Sequence, residues 1–505
     1  MAKSAGRDLA LSLSLANLCF FETWHRMLFA DPFFMPAWSG RDLAALTLNV
    51  LLLAALFWIA MSAARRSPSR LLGTVRSVLP LLALLVFAEL AILRYQQPLR
   101  AAWAAPEGPL LSAILALVAV YSVVRWRRPV LAAAEVFALS LVAFLPVTFG
   151  QAAWRHINSS DAAETHPVPA PGATAASSRR VVWIVFDEMD ARPAFLARPA
   201  GLSLPNLDRL RAEALYAPGA RQAGLQTVSA FTSIIAGRPV YAARPEGSGE
   251  LLVSFQPDTE PREPFTRQSN LFSKAIAAGF TTAVVGWYFP YCRVLEPALT
   301  RCAWQPMDAP PRAANPAFAA IVAEQWRSLL PLEKRRNHRA QYQALMRSAL
   351  ESAADPSLGL VLIHLPVPHE PAIYDRSAGE FTLLSFRKDW YADNLALADR
   401  ALGELRAAME RAGTWETSTV LVTADHSLRY YADFNTETDS RIPFLLKPAG
   451  PSQPLTYSPE FSALATHELL LAVLRGEITD TASAARWLDA HAAGNRSEGS
   501  GRAGL

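Results

Sequence analysis

Leu43 to Ala64 runs without a single charged residue, and about 20 such residues are enough to cross the hydrocarbon core of a bilayer. A segment of that kind must satisfy its backbone polar groups internally, so a helix is the only fold open to it. Ser77–Leu93, Pro109–Val124 and Pro129–Gly150 repeat the pattern, and a fifth stretch, roughly Leu9–Phe29, is interrupted by Glu22, His25 and Arg26. Residues 1–150 therefore read as an N-terminal α-helical transmembrane bundle of about five helices. Several spans follow one another with no small-residue cleavage site behind a single apolar core, which argues against a cleaved signal peptide. Arg65, Arg66, Arg70 and Arg76 crowd one loop, Arg125, Arg127 and Arg128 another, and Lys3 and Arg7 precede the first span. By the positive-inside rule these face the cytoplasm, which puts everything after Gly150 outside. The expected location is a bacterial inner membrane, crossed several times, with the C-terminal part on the periplasmic side. Glu89 and Glu135 fall inside two of the spans. An ionisable residue there is either functional or a carboxylate paired between helices.

Composition excludes one class of function. The chain has 505 residues with 48 basic and 44 acidic side chains, a net charge of +4, and no basic tract of the kind that tracks nucleic acid. Residues 151–179 are rich in Pro, Ala, Ser and Thr and read as a linker. A soluble domain is expected over 180–475, and 476–505 as a partly disordered tail. Cys292 and Cys302 lie on the predicted outer side, where an oxidising compartment allows a bridge between them; two free thiols are the alternative.

Within 180–475, apolar strand-like runs alternate with helical patterns. "VVWIVFD", "TTAVVGW", "LGLVLIHL" and "STVLVTAD" are continuous buried strands, and "YADNLALADRALGELRAAMERAG" is a long helix. This alternation implies an α/β domain with a largely parallel central sheet covered on both faces. In such sheets chemistry collects at the carboxyl ends of the strands. Those ends carry Asp187 with Glu188, His364 with His369 close behind, and Asp425 with His426. Mixed carboxylate and imidazole donors suit Zn²⁺ or Mn²⁺ rather than Ca²⁺. Each piece alone also has a plain structural reading as a cap or a loop histidine. Thr227, at the start of "TVSAFTSIIAGRPV", is either a helix cap or a nucleophile.

The order of these motifs resembles the sulfatase branch of the alkaline-phosphatase superfamily. "VVWIVFDE" is similar to the opening metal-binding strand, and "LPNLDRLRAEALYA" to the family's Pro-Asn-Leu-Asp-x-Leu helix. "VPHEP" is similar to its substrate-side Pro-His-x-Pro, and "RIPFLLKPAG" to the strand after the Asp-His motif. "QTVSAFTSIIAGRPV" resembles the nucleophile motif, with Thr227 where sulfatases have the Cys or Ser that becomes formylglycine. The accompanying Pro and Arg are Ser229 and Phe231 here, and the sulfatase Lys-x-His is replaced in "GWYFPYC".

Thr at that position, behind several spans, resembles the membrane-anchored phosphoethanolamine and phosphoglycerol transferases of bacterial envelopes. That resemblance implies a divalent metal held by Asp187, Thr227, Asp425 and His426. Asp187 stands where those transferases mostly have Glu, and Glu188 is a candidate to share the role. A second metal site lacks its usual His after Asp425-His426. The resemblance also implies Thr227 as nucleophile and places His364 and His369 on the substrate side, where His369, ahead of His364, is expected either to protonate the leaving alkoxide or to orient the acceptor. The expected donor is a membrane lipid and the acceptor a glycan or lipid of the envelope. Sulfatase or phosphodiesterase hydrolysis is the alternative, and a non-catalytic envelope assembly role a third.

Overall fold

A computed structural model describes residues 2–36, 38–85 apart from 82 and 84, 108–158, 179–384 apart from 308, 314 and 331, 389–429, and 439–491. The chain divides into two compact units. One comprises 1–30, 38–161 and 312–333; the other comprises 31–37, 162–311 and 334–505.

The first unit is helical. Among the described residues two helical runs are long and apolar enough to cross a membrane, Gly40–Arg66 and Arg127–Ile157, rather than the roughly five expected. The Leu9–Phe29 stretch breaks at Phe20 into helices Ala2–Cys19 and Phe21–Phe29, and its charged residues fall in the short second piece. Gly108–Arg125 is helical over 18 residues. Most of Ser77–Leu93, including Glu89, lies outside the described residues, as do most of the expected linker and the chain beyond His491. Only a third of the apolar window of Gly40–Arg66 is buried. Leu51, Leu56 and Ile59 stand more than half exposed along it, an apolar surface that water does not favour. Its start is fixed by a Ser39–Asp42 capping box. Glu135 is paired with Arg7 at 2.6 Å. Asn49, buried mid-helix, meets the helix Phe318–Arg327 through its Nδ2, which donates to Gln325 Oε1 at 2.9 Å and to the Val322 carbonyl at 3.2 Å, while its Oδ1 has no partner.

The second unit is built on an eight-stranded sheet. In chain order its strands are β1 (Val181–Phe186), β2 (Leu215–Tyr216), β3 (Thr282–Trp287), β4 (Arg301–Gln305), β5 (Leu360–Leu365), β6 (Thr419–Ala424), β7 (Phe444–Lys447) and β8 (Leu455–Thr456). They lie in the order β8-β2-β7-β6-β1-β5-β3-β4. Every pairing is parallel except the two made by β7. β1, β3, β5 and β6 are buried along their whole length, as their uninterrupted Val, Leu and Ile content requires of a sheet covered on both faces. Arg180 enters the core beside β1 and is held by the Leu358 carbonyl, the Ser418 hydroxyl and two further carbonyls, so the charge is buried with full partners.

Two consequences matter for the site. β1 sits between β6 and β5, so the carboxyl ends of the three strands that carry Asp187, Asp425-His426 and His364 are brought side by side. The fold also continues past the expected boundary at 475, through the helix Thr481–His491, whose Trp487 and Leu488 are buried. Cys292 and Cys302 form a disulfide, tying the turn after β3 to β4.

Candidate metal and phosphoryl-transfer site

The helix Thr227–Ala236 is buried at every one of its 10 positions. Gln226 occupies the cap position, and its N–H donates to Ser229 Oγ at 3.2 Å. Thr227 is thus the first helical residue, and its hydroxyl is free of capping duty. Its Oγ1 lies 3.5 Å from Asp187 Oδ2 and 3.4 Å from His426 Nε2. The helix ends at Gly237, whose φ of 74° is left-handed. A Cβ there would strike the His467 ring, so glycine lets the helix end seat against that imidazole.

Phe231 takes the place of the sulfatase Arg. It is fully buried, with its ring 4.6 Å from that of His364, 5.3 Å from Tyr291 and 6.1 Å from Trp183. The position that binds sulfate in sulfatases is a core aromatic here.

Asp187, Asp425 and His426 form a buried donor cluster. Asp425 Oδ1 accepts the N–H groups of Glu188 at 3.1 Å and His426 at 2.8 Å, leaving Oδ2 with no hydrogen-bond partner; Asp187 Oδ1 has none either. Two orphaned carboxylate oxygens this deep would cost several kcal/mol of lost solvation unless a proton or cation meets them. His426 Nδ1 lies 3.0 Å from the Ser427 carbonyl. A carbonyl only accepts, so the ring proton is on Nδ1 and the Nε2 lone pair points into the cluster.

The spacing tests the metal directly. Two donors each about 2.1 Å from one tetrahedral zinc stand about 3.4 Å apart. Thr227 to Asp187 is 3.5 Å, Thr227 to His426 is 3.4 Å, and Asp425 Oδ2 to His426 Nε2 is 3.3 Å. These are long for hydrogen bonds and right for co-ligands, so the residues present fit a divalent cation.

His364 lies under this cluster and not on its open side. It is fully buried, with Nδ1 at 3.1 Å from both the Trp287 carbonyl and the Tyr291 hydroxyl and Nε2 at 3.1 Å from Asp187 Oδ2. The substrate-side role expected of His364 is therefore replaced by one of holding Asp187. Burial alone would raise the Asp187 carboxyl; the bond from His364 and the charges of His369 and His364 outweigh it and hold the group below its usual range. Burial and the charges of Asp425 and Asp187 push Tyr291 well up, so its phenol stays neutral.

Glu188 does not join the donor cluster. Its φ of 61° is rare for a non-glycine residue. That backbone is held by Tyr391, whose hydroxyl donates to the Glu188 carbonyl at 2.7 Å and accepts from Asp190 N–H at 2.9 Å. The strained turn carries the carboxylate away from Asp187, to 3.3 Å from Arg429 Nε and 4.0 Å from His369 Nε2. His369 is only slightly exposed. Its Nδ1 donates to the Glu370 carbonyl at 2.6 Å and its ring stands edge-on to Trp287. Burial works to lower its pKa, but the charges of Glu188 and Asp187 and the Glu370 carbonyl prevail and raise it. The cationic imidazole is thus favoured, as a proton donor needs.

Sequence reasoning missed His338. It lies on the helix Glu333–Ala354, buried, edge-on to Trp287 at 5.5 Å, with Nε2 unpartnered. Nothing in "KRRNHRAQ" marks it. Trp287 and Tyr291 did have a signal, since "GWYFPYC" stands where the sulfatase Lys-x-His is missing. Burial first, and then the charge of His369, lowers His338 to about 3. The unfolded chain, with an imidazole near 6.5, binds a proton that the folded protein does not. Stability from this group is complete above about pH 6.5 and falls as pH drops toward 3, by up to about 1.4 kcal/mol per unit. Carboxylates scarcely titrate between pH 5 and 6.5, so denaturation in that window should show a slope that His338→Gln flattens.

Residues 181–439, just over half of the chain, match the family described as type I phosphodiesterase / nucleotide pyrophosphatase. The chain belongs to that family. The phosphodiesterase-family domain agrees with the alkaline-phosphatase superfamily and sulfatase-like fold read from the sequence, whose enzymes use divalent metals. No curated relative matches by sequence. Among solved structures the family member is similar to Ps i-CgsB in complex with k-i-k-neocarrahexaose, at 14% identity and TM-score 0.44, over 60% of this chain and 73% of that one. It is similar to a protein in the alkaline phosphatase superfamily from Vibrio parahaemolyticus, at 14% and 0.39, over 63% and 72%. It is also similar to the lipoteichoic acid synthase LtaP from Listeria monocytogenes, at 15% and 0.38, over 62% and 76%.

Proposed function

We propose that this protein is a membrane-anchored, metal-dependent transferase that moves a phospho-group, of the phosphoethanolamine or phosphoglycerol type, from a lipid donor to an envelope acceptor through a covalent Thr227 intermediate. The observation that carries the reading is the placement of Thr227 Oγ1 within 3.5 Å of Asp187 and His426, beside two carboxylate oxygens without partners. Long exposed apolar helices in the same chain support a lipid donor, and the Arg-rich loops before residue 150 support a catalytic domain on the extracytoplasmic side. Asp187, Asp425, His426 and Thr227 would hold the cation. When bound, a divalent ion supplies charge neutralisation at the phosphoryl oxygens and lowers the pKa of a neighbouring hydroxyl.

The chain's own residues then divide the work. Thr227 Oγ1, having lost its proton to water, attacks phosphorus; an O–P bond forms as the P–O bond to the donor alkoxide breaks. The N-terminus of the helix that begins at Thr227 would favour the transferred anion. His369 gives its proton to the departing alkoxide. In the second displacement an acceptor hydroxyl attacks, His369 takes its proton, and Thr227 Oγ1 is released. Glu188, between Arg429 and His369, keeps both side chains at the strand ends.

Trapping is the direct test. Incubation with a lipid phosphodiester donor in the absence of acceptor, followed by intact-peptide mass spectrometry, should place an added mass on Thr227 equal to the transferred group. An adduct on another residue, or none during turnover, overturns the reading. The family match favours a second reading in which water is the acceptor and the reaction is phosphodiester hydrolysis; release of free head group at the full turnover rate with acceptor present would select it. Sulfate-ester hydrolysis is disfavoured by Phe231, whose burial leaves no cation where sulfatases have one.

A further inference from the structure

Residues 31–36 connect two helices of the first unit, Phe21–Phe29 and Gly40–Arg66, yet they pack as part of the catalytic unit. Phe33 is fully buried in that unit's core, 6.2 Å from the Phe289 ring and edge-on to it. Phe34 stacks on Tyr288, with centroids 4.9 Å apart and planes within 8°. Arg293 grips the connector's backbone: its Nη1 donates to the carbonyls of Pro32 at 2.8 Å and Phe33 at 3.0 Å, and its Nη2 to that of Met35 at 2.9 Å. Three charge-assisted bonds from one planar fork, to the carbonyls of residues 32, 33 and 35, fix a loop in a single geometry.

All of these contacts fall on one turn, residues 287–293 after β3. The same turn holds His364, through the Trp287 carbonyl and the Tyr291 hydroxyl, each 3.1 Å from Nδ1, and His364 in turn holds Asp187. The turn is not self-supporting. Tyr288 is a non-glycine residue at φ 62°, a conformation that persists only where its surroundings enforce it. Tyr291 folds back so closely over β3 that any side chain at Gly286 would collide with its ring. The Cys292–Cys302 disulfide and the bond from Tyr288 N–H to the Gln305 carbonyl secure the side facing β4. The connector secures the other side.

We propose that residues 31–36 are a positioning element of the reaction centre: they set the 287–293 turn, which sets His364, which sets Asp187. The effect on turnover rests on the function proposed above; the mechanical link does not. A displacement of about 1 Å at a reacting group can cost on the order of 100-fold in rate, so loss of the Phe33 anchor should be visible in chemistry rather than in binding.

The test uses the full chain in detergent or nanodiscs, with Phe33→Ala, the conservative Phe33→Leu, and Phe34→Ala, which removes only the half-buried stacking ring and spares the core if Phe33→Ala fails to fold. Amide hydrogen exchange over 287–293 and 360–369 and the kcat and KM for a lipid phosphodiester are read together. Expected are faster exchange in both segments and a kcat lower by roughly 10- to 100-fold, with KM within about twofold and substantial recovery in Phe33→Leu. Unchanged exchange in those segments overturns the proposal, as does faster exchange with an unchanged kcat. If the parent protein turns over no phosphodiester, the function reading fails instead, and the exchange measurement, which needs no substrate, still decides whether the connector holds the His364 segment.

Discussion

Thr227→Ala should leave a folded protein with its disulfide intact and a turnover reduced by at least about 10⁴-fold. In a hydrolase of similar logic, removing the nucleophile costs on the order of 10⁶ in kcat, and only residual catalysis from binding and charge stabilisation is left. The fold should tolerate the change: Thr227 is not the cap residue, and its hydroxyl makes only the long contacts to Asp187 and His426. Thr227→Ser keeps the oxygen and should retain measurable transfer. Rates of head-group transfer, measured beside circular dichroism and a non-reducing mass of the Cys292–Cys302 peptide, separate the outcomes. Near-parental turnover by Thr227→Ala would show that the acceptor attacks the donor directly.

The second large effect is expected at the donor cluster. Asp425→Asn removes the charge while keeping the Oδ1 position that accepts from Glu188 and His426. His426→Ala removes the nitrogen whose orientation Ser427 fixes. Substituting a residue behind a metal ligand commonly costs 10- to 100-fold in affinity; loss of a ligand should exceed that, and both variants should purify with little zinc or manganese by elemental analysis. Chelation should likewise abolish parental activity, with recovery on adding Zn²⁺ or Mn²⁺. Glu188→Gln is the contrasting control. Because its carboxylate lies against Arg429 and His369 rather than in the cluster, it should keep its metal while kcat falls. Full metal content in Asp425→Asn would remove the basis for the assigned ligands.

The strand-end acids and histidines, the Thr227-to-Gly237 spacing and the mostly parallel sheet were all readable in the sequence because each is local. Val-rich strands announce their own burial, and a residue just past such a strand is placed by it. What escaped reading depends on packing between distant segments or on a single backbone torsion. Glu188 follows Asp187 directly, and only its positive φ sends the carboxylate to the other side. His364 sits one residue before the end of β5, so it reads as a mouth residue, but Tyr291 and Trp287 close over it. His338 comes from a polar helix with no motif. Phe33 and Phe34 carry no motif, and only the fold places Phe33 in the catalytic core with Phe34 packed against it. Among the described residues the first stretch falls short of a span for a similar reason: hydropathy does not reveal that it breaks at Phe20.

The burial of the whole Thr227–Ala236 helix has a practical corollary for covalent inhibitors. A nucleophile on a surface loop can swing to meet many electrophiles, whereas one seated on a helix with no solvent-facing residue presents its oxygen along one fixed line. Reactive phosphonates that approach along that line should label Thr227 stoichiometrically, and bulkier reagents of equal intrinsic reactivity should leave it untouched. Shape at the strand ends, more than warhead strength, would then set potency.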